Sequence, residues 1–196
     1  LAAQGAELAF TFQGGALEKR VRPLVESVGS DLLVSCDVED DSSIENAFET
    51  IGKKWDSIDF VVHAIAYSDK DELNGRYVET SRDNFKRTLD VSCFSFTSTA
   101  RVAAGMMADG GSMLTLTFAG SQRVVPNYNV MGVAKAALEA SVRYLASDLG
   151  DQGIRVNAIS AGPVRTLAGS AISGARHIYR WSQENAPLKR NADIED

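Results

Sequence analysis

The sequence has little cysteine, proline or histidine: two, four and two residues in a chain of 196. Cys36 and Cys93 are too few and too far apart for a disulfide framework or a thiolate metal site, and both read as small core residues. No stretch approaches the roughly 18 apolar residues of a membrane span, and no basic leader with an apolar core is visible at the start. Positive charge is also sparse and scattered. Lys and Arg number 20 against 26 Asp and Glu, for a net charge of −6, with no basic block to suggest a nucleic-acid surface. Repeats and low-complexity tracts are missing as well.

What is present is a 44% hydrophobic content, enough for one sizeable core. The expectation is a cytoplasmic protein with one domain spanning residues 1–196. The chain opens without Met on Leu1-Ala2-Ala3-Gln4-Gly5-Ala6, which looks like the last turn of a helix closed by a glycine cap. It stops at Ile194-Glu195-Asp196, where an acidic pair soon after Pro187 would normally begin a helix. We therefore expect a chain truncated at both ends.

Apolar β-prone runs alternate with helical spacing along the sequence. Strands are expected at Glu7 to Phe12, Asp31 to Cys36, Ile58 to His63, Gly111 to Thr117 and Ile154 to Ser160. Between them, helices are expected over Ala16 to Val28, kinked or interrupted by Pro23, over Ser42 to Lys54, and over Arg82 to Met107. The last of these carries Phe85, Leu89, Cys93, Phe96, Ala100 and Ala104 on one face. A further helix follows Pro126 and buries Leu138, Val142, Leu145 and Leu149, and a helical segment covers about Ile172 to Asn185. Strands alternating with long helices imply parallel pairing, hence an α/β, doubly wound, Rossmann-type sheet. Ligands then sit beyond the carboxyl ends of the strands. Those ends are Gln13, Asp37-Val38, His63 to Ala66, Thr117-Phe118 and Ala161 to Thr166, so all candidate chemistry falls on one rim. Ala64 to Ser81 is a long polar connection at such an end, a place where loops are more often functional.

The chain is organised around Thr117 to Leu149, a strand end, a loop and a helix. Tyr128 and Lys135 are seven positions apart, close to two helical turns, which puts both side chains on one face. A phenol that donates a hydrogen bond, backed by a cation, is a recurring way to stabilise an oxyanion in a reductase. Taken alone, such a pair is more often a half-buried Tyr and a solvated Lys.

The run PNYNVMGVAK followed by RVNAISAGPVRTLA closely resembles the bacterial enoyl-acyl carrier protein reductases, divergent members of the short-chain dehydrogenase/reductase superfamily. CDVEDDSSI and the long helix before the organising stretch fit too, so the resemblance covers nearly the whole chain. It implies that Tyr128 hydrogen-bonds the thioester carbonyl and stabilises the enolate, and that Lys135 holds the nicotinamide ribose. Ordinary members of the superfamily place the catalytic tyrosine where Met131 stands and a catalytic Asn where Ser92 stands. Both departures favour C=C over C=O reduction.

By the same resemblance, Gln13, Asp37 and Val38 belong to the adenosine end of the cofactor, Ala64 and Ile65 to the stretch lying along it, and Thr117 to the strand end beside it. Val164, Thr166, Leu167 and Ala168 match the run that meets the carboxamide and pyrophosphate. Asp37 and Thr166 also read as turn or cap residues. Ser68, Phe118 and Met131 are implied to line the substrate pocket with Tyr128, Ser68 reading equally as a turn residue. Residues 167–185 resemble a segment covering the acyl chain, although an apolar patch there is also what a core or subunit contact would show.

No Arg or Lys directly follows Phe12, which favours NADH over NADPH, with Lys19 and Arg20 on the next helix as the only counterweight. The glycine-rich pyrophosphate turn of the family is expected ahead of Leu1, so the chain as written is expected to bind cofactor poorly. The implied partner is an acidic acyl carrier protein, with Arg176, Arg180 and Arg190 as docking candidates, and the implied assembly is a homotetramer. His63 and His177 have no visible partner and read as structural. A ketone or alcohol oxidoreductase on the same fold and a non-enzymatic dinucleotide-binding regulator are the alternatives.

Overall fold

The structure is a computed structural model that describes residues 1–166 and 174–193. Each apolar run forms a strand, and every strand pairing is parallel. β1 (Ala9–Phe12) pairs with β2 (Leu32–Ser35), placing Ala9 opposite Leu32 and Phe12 opposite Ser35. β3 (Phe60–His63), β4 (Gly111–Thr117) and β5 (Ile154–Ser160) form a second ladder, with Phe60 opposite Ser112 and Thr117 opposite Ser160. Parallel pairing follows from the connections, since each strand returns through a helix long enough to cross over. The two ladders are separated by a cleft of about 1000 Å³ between β1 and β3, lined by Phe10, Val38, Phe48, Val62, Ala64 and Ile65 among others.

The helices begin where local chemistry caps them. Asp40 opens α2 (Asp41–Gly52) by accepting from the Ser42 amide at 3.0 Å, and Ser81 opens α3 (Arg82–Leu89) by accepting from the Asn84 amide at 3.2 Å. At the start of the chain Gly5 closes the short turn Ala2–Gln4 in a left-handed conformation (φ 85°), its amide donating to the Ala2 carbonyl. In α1 (Gly15–Ser27) the helix runs through Pro23 instead of stopping there. Pro23 is exposed, so the carbonyl its ring leaves unbonded can turn to water, while Val25 alone anchors the helix in the core.

The expected helix over Arg82 to Met107 is three pieces: α3, a π-helical turn at Asp90–Phe94, and α4 (Ser95–Ala104). The wider turn shifts the helix register, so Phe94 and Phe85 reach solvent and the buried face is partly polar: Asn84, Thr88, Ser92, Ser95 and Ser98. Downstream, α5 (Asn129–Leu149) buries Leu138 and packs Val142, Leu145 and Leu149 against the core that Phe96, Met113 and Ile154 also build. α6 (Ala175–Asn185) closes the described chain.

His63 ends β3 at 2% exposure, its ring 5.2 Å from that of Phe96. Its Nε2 lies 2.9 Å from Ser95 Oγ and its Nδ1 lies 3.2 Å from Thr115 Oγ1. Ser95 Oγ donates to the Val91 carbonyl and Thr115 Oγ1 to the His63 carbonyl at 3.1 Å, so both hydroxyls face the ring as acceptors. The neutral ring donates to one of them, and burial opposes the second proton. Burial, reinforced by the nearby Lys135 charge, pushes its pKa down to about 4.

A histidine whose folded pKa lies below its unfolded value contributes stability that is complete above about pH 6.5 and lost as pH falls toward 4, here about 3 kcal/mol over the window. Urea denaturation across that range should show this slope, added to whatever the carboxylates contribute. His63→Gln should lack the histidine part. An unchanged slope in that variant would mean that His63 is not the titrating group.

Candidate active site

The organising stretch is built from the end of β4, a loop holding the short turn Ala119–Ser121, and the start of α5. Tyr128 is one residue outside the helix, at its N-cap, and its neighbours Asn127 (φ 61°) and Asn129 (φ 35°) are both in the left-handed region. Asparagine tolerates that region better than most residues. The helical-face argument therefore does not describe Tyr128, because the backbone turns at Asn129 before the helix is established.

Packing sets the position of the ring. The Phe118 ring meets Tyr128 edge-on, with centroids 5.4 Å apart, and Met131 and Ala134 form the same buried cluster. Gly120 lies beneath the ring: a Cβ built there would come 2.5 Å from Tyr128 Cδ1. Gly132, on the facing turn of α5, leaves room for the Gly120 carbonyl, which a Cβ would meet at 2.7 Å. The two glycines let loop and helix approach closely enough to seat the phenol.

Tyr128 is 8% exposed, and burial pushes its pKa up to about 12, so the hydroxyl keeps its proton at any physiological pH. It makes no hydrogen bond among the described residues, which leaves a donor available. Lys135 is 7% exposed, and its Nζ donates to the Leu116 carbonyl at 2.8 Å. Burial pushes its pKa down to about 8. An ammonium has three N–H groups, so others remain to meet a ligand.

The cofactor residues expected from sequence fall on the rim in separate groups. Gln13 Nε2 donates to Asp37 Oδ2 at 3.1 Å, joining the ends of β1 and β2, and Asp37 Oδ1 accepts from the Glu39 amide. The turn reading of Asp37 thus also holds. Val38, Ala64 and Ile65 line the cleft between the ladders, whereas Tyr128 and Lys135 lie outside its lining. A carboxylate beside apolar walls and a small exposed residue suits the adenosine part of a dinucleotide. Thr117 is buried, and its hydroxyl donates to Glu139 Oε1 at 2.7 Å. The Val164 carbonyl accepts from Tyr179 at 3.3 Å, and Thr166 is exposed. Leu167 and Ala168, and the first part of the segment expected to cover the acyl chain, lie outside the described residues.

On the substrate side the structure brings Phe118, Met131 and Tyr128 into one apolar cluster, with Leu73 and Leu89 packed on it. Ser68 is not part of it. Its hydroxyl accepts from Thr88 at 2.9 Å and faces the Asn84 amide oxygen at 3.4 Å, which fixes the loop after β3 and supports the turn reading. Ser92, in the π-helical turn, holds that loop too: its Oγ accepts from the Tyr67 amide and lies 2.9 Å from the Tyr67 carbonyl. His177 is exposed.

Sequence reasoning missed Gly120, Gly132, Asn129 and Glu139. Asn129 reaches the carbonyls of Glu72, Asn74 and Gly75 at 3.4 to 3.5 Å, tying the long loop to the start of α5. Gly132 did leave a signal, since a glycine inside a helix costs about 1 kcal/mol and is usually there for close packing.

A family profile described as enoyl-(acyl carrier protein) reductase matches residues 1–196. An enoyl-[acyl-carrier-protein] reductase [NADH] of Rhizobium meliloti is 64% identical over the whole chain, which spans 73% of that relative. The crystal structure of FabI from Candidatus Liberibacter asiaticus superposes with a TM-score of 0.97 at 57% identity, over 99% of this chain and 75% of that one. An enoyl-(acyl-carrier-protein) reductase from Anaplasma phagocytophilum, solved in complex with NAD, superposes with a TM-score of 0.91 at 55% identity, over 97% of this chain and 70% of that one.

Gly120→Ala should destabilise the protein by about 1–3 kcal/mol, because the new methyl collides with the Tyr128 ring. Gly52→Ala is the control: its Cβ would sit in open helix surface, 3.7 Å from Met106 Cε, and should be neutral or stabilising. Denaturant midpoints check both, and equal midpoints would mean that the ring does not rest on Gly120.

Proposed function

The chain belongs to the enoyl-(acyl carrier protein) reductase family, and from that premise we propose that it reduces trans-2-enoyl thioesters on acyl carrier protein with NADH, in the elongation cycle of fatty acid synthesis. The observation that carries this reading is a buried tyrosine, held protonated and with its hydroxyl uncommitted, at the N-cap of the helix that carries a buried lysine.

NADH, when bound, supplies a hydride for the substrate β-carbon. The negative charge that develops then moves to the thioester oxygen. Tyr128 donates its hydrogen bond to that oxygen, and the low-dielectric setting that raises its pKa also strengthens the bond. Lys135 contributes positive potential and orients the ribose through the N–H groups that Leu116 does not use. The α-carbon is protonated afterwards. Phe118 and Met131 exclude water from the reacting face, and an apolar wall suits an acyl chain.

For the cofactor, Gln13, Asp37 and Val38 would hold the adenosine end, and Ala64 and Ile65 would allow close approach along its length. Thr117, Val164, Thr166, Leu167 and Ala168 would meet the nicotinamide end and pyrophosphate. Arg176 and Arg180, both exposed on α6, and exposed Arg190 would attract the acidic carrier protein. We also propose a homotetramer, in which exposed Tyr144 on α5 and Phe94 beside α4 would be covered. No helix among the described residues is long and apolar enough to cross a membrane, and a carrier-bound substrate fits a cytoplasmic enzyme.

The test follows NADH oxidation by the purified protein, with the ends expected to be missing restored, on a trans-2-enoyl thioester and, separately, a 3-oxoacyl thioester. Turnover of the enoyl substrate alone is expected, and Tyr128→Phe should lower kcat by about 10²–10³-fold. Turnover of the oxo substrate alone would replace this reading with a ketoreductase, and NADH binding without turnover of either would replace it with a regulator.

The pH dependence follows from Lys135. Its ammonium is needed in the charged form, so kcat should fall as pH rises through about 8, while Tyr128 stays protonated. A flat profile to about pH 10, near the ordinary lysine value, would remove the charge of Lys135 from the mechanism.

A further inference from the structure

We infer that Glu139 is a positioning residue for Tyr128: its carboxylate fastens the β4–α5 loop, on which the tyrosine ring rests, to the helix that carries Lys135. This inference rests on the reading of Tyr128 as the donor to the enolate oxygen.

The loop has a shape of its own but little of its own to attach it. Its backbone bonds are local, with Ser121 N donating to Phe118 O at 2.9 Å and Gln122 N and Arg123 N both donating to Ala119 O at 3.1 Å. These bonds curl the turn without joining it to the body of the protein. Among the described residues, the first turn of the loop is attached through one carboxylate on α5. Glu139 Oε1 accepts from Ser121 Oγ at 2.5 Å and from Thr117 Oγ1 at 2.7 Å, so it grips the last residue of β4 and the turn beyond it together. Gly120, whose backbone underlies the Tyr128 ring, is the residue just before Ser121.

Glu139 also sits one helical turn beyond Lys135, whose Nζ holds the Leu116 carbonyl. Successive residues of β4 are thus held by successive turns of one helix, Leu116 by the lysine and Thr117 by the glutamate. A carboxylate suits this role because it accepts only, and can take two hydroxyl protons on one oxygen. Partial burial alone would raise its pKa, but donation from Ser121, Thr117 and Gln122 and the positive charge of Arg143 outweigh this and leave it below the ordinary value. The grip is therefore in place across the neutral range and does not itself titrate there.

If the grip sets the height of the ring, its loss displaces the Tyr128 hydroxyl without touching the adenosine end of the cofactor site. Glu139→Ala should lower kcat about tenfold or more, in line with the cost of small misplacements of catalytic groups. The KM for NADH and the alkaline limb set by Lys135 should stay as in the wild type. Glu139→Gln keeps an acceptor oxygen and should restore most of kcat. Ser121→Ala removes one of the two bonds and should fall between. Hydrogen exchange of the amides in residues 118–123 should quicken in Glu139→Ala in step with the loss of kcat.

Wild-type kcat in Glu139→Ala, while Tyr128→Phe is impaired, would overturn the role of Glu139 and leave the proposed function standing. Full activity in Tyr128→Phe would instead overturn the role of Tyr128 on which the inference rests, and no enoyl turnover by the wild type would overturn the proposed function. Should Glu139→Ala fail to fold, Ser121→Ala carries the test, and unchanged kcat and exchange in that variant would overturn the inference.

Discussion

The arrangement depends on burying one ammonium group. Lys135 emerges from α5 into the core, where removing it from water works against its charge, and the fold answers with the Leu116 carbonyl at 2.8 Å. That bond fixes β4 against α5, and the rest of the site is laid out along the same joint. The tyrosine lies just before the helix, the glutamate one turn further in, and the neutral His63 behind. The histidine is part of the same constraint. Burial and the nearby Lys135 charge make a second cation here costly, so the imidazole stays uncharged.

The strands were legible because each is a short apolar run between helices, and parallel pairing followed from the connections alone. Burial on the central helix was less legible. Spacing of apolar residues from Phe85 to Ala104 pointed to one continuous stripe, but the π-helical turn at Asp90–Phe94 changes the register midway. The face it buries is rich in Ser, Thr and Asn. Such residues look solvent-facing by composition, and only their partners reveal otherwise: Asn84 and Thr88 hold the loop after β3, Ser92 holds Tyr67, and Ser95 holds His63.

The site was legible as a set of residue types but not as a geometry. Tyr128 and Lys135 were found by their spacing and by family resemblance, yet the spacing argument assumed a helix that starts one residue too late to include the tyrosine. Two left-handed asparagines and two glycines do what helical periodicity was expected to do. Close approach of Gly120 and Gly132 is a property of three-dimensional packing, and a sequence shows at most that a glycine stands where an alanine would be cheaper. Ser68 read equally as a pocket or a turn residue, and its contacts show the second of these roles. A residue matched to the substrate pocket has its hydroxyl committed to shaping a loop, which is what a polar side chain after a strand most simply does.

Two loops on the rim are also joined mechanically. Arg87 on α3 makes a two-pronged pair with Glu39, with Nε and Nη2 each 2.9 Å from a carboxylate oxygen, and its guanidinium stacks 4.4 Å from the centre of the Tyr67 ring. Glu39 belongs to the loop that holds Asp37 and Val38, while Tyr67 lies between Ile65 and Ser68 and is pinned from beneath by Ser92. An exposed ion pair by itself stabilises little, but bidentate geometry with a stacked ring resists changes of angle as well as of distance. The loops after β2 and after β3 therefore share one rigid strut. Neither loop is regular secondary structure, so without such a strut each would be free to move separately. A ligand as long as a dinucleotide must span both at once, and a prefixed distance between them lowers the ordering cost of binding it.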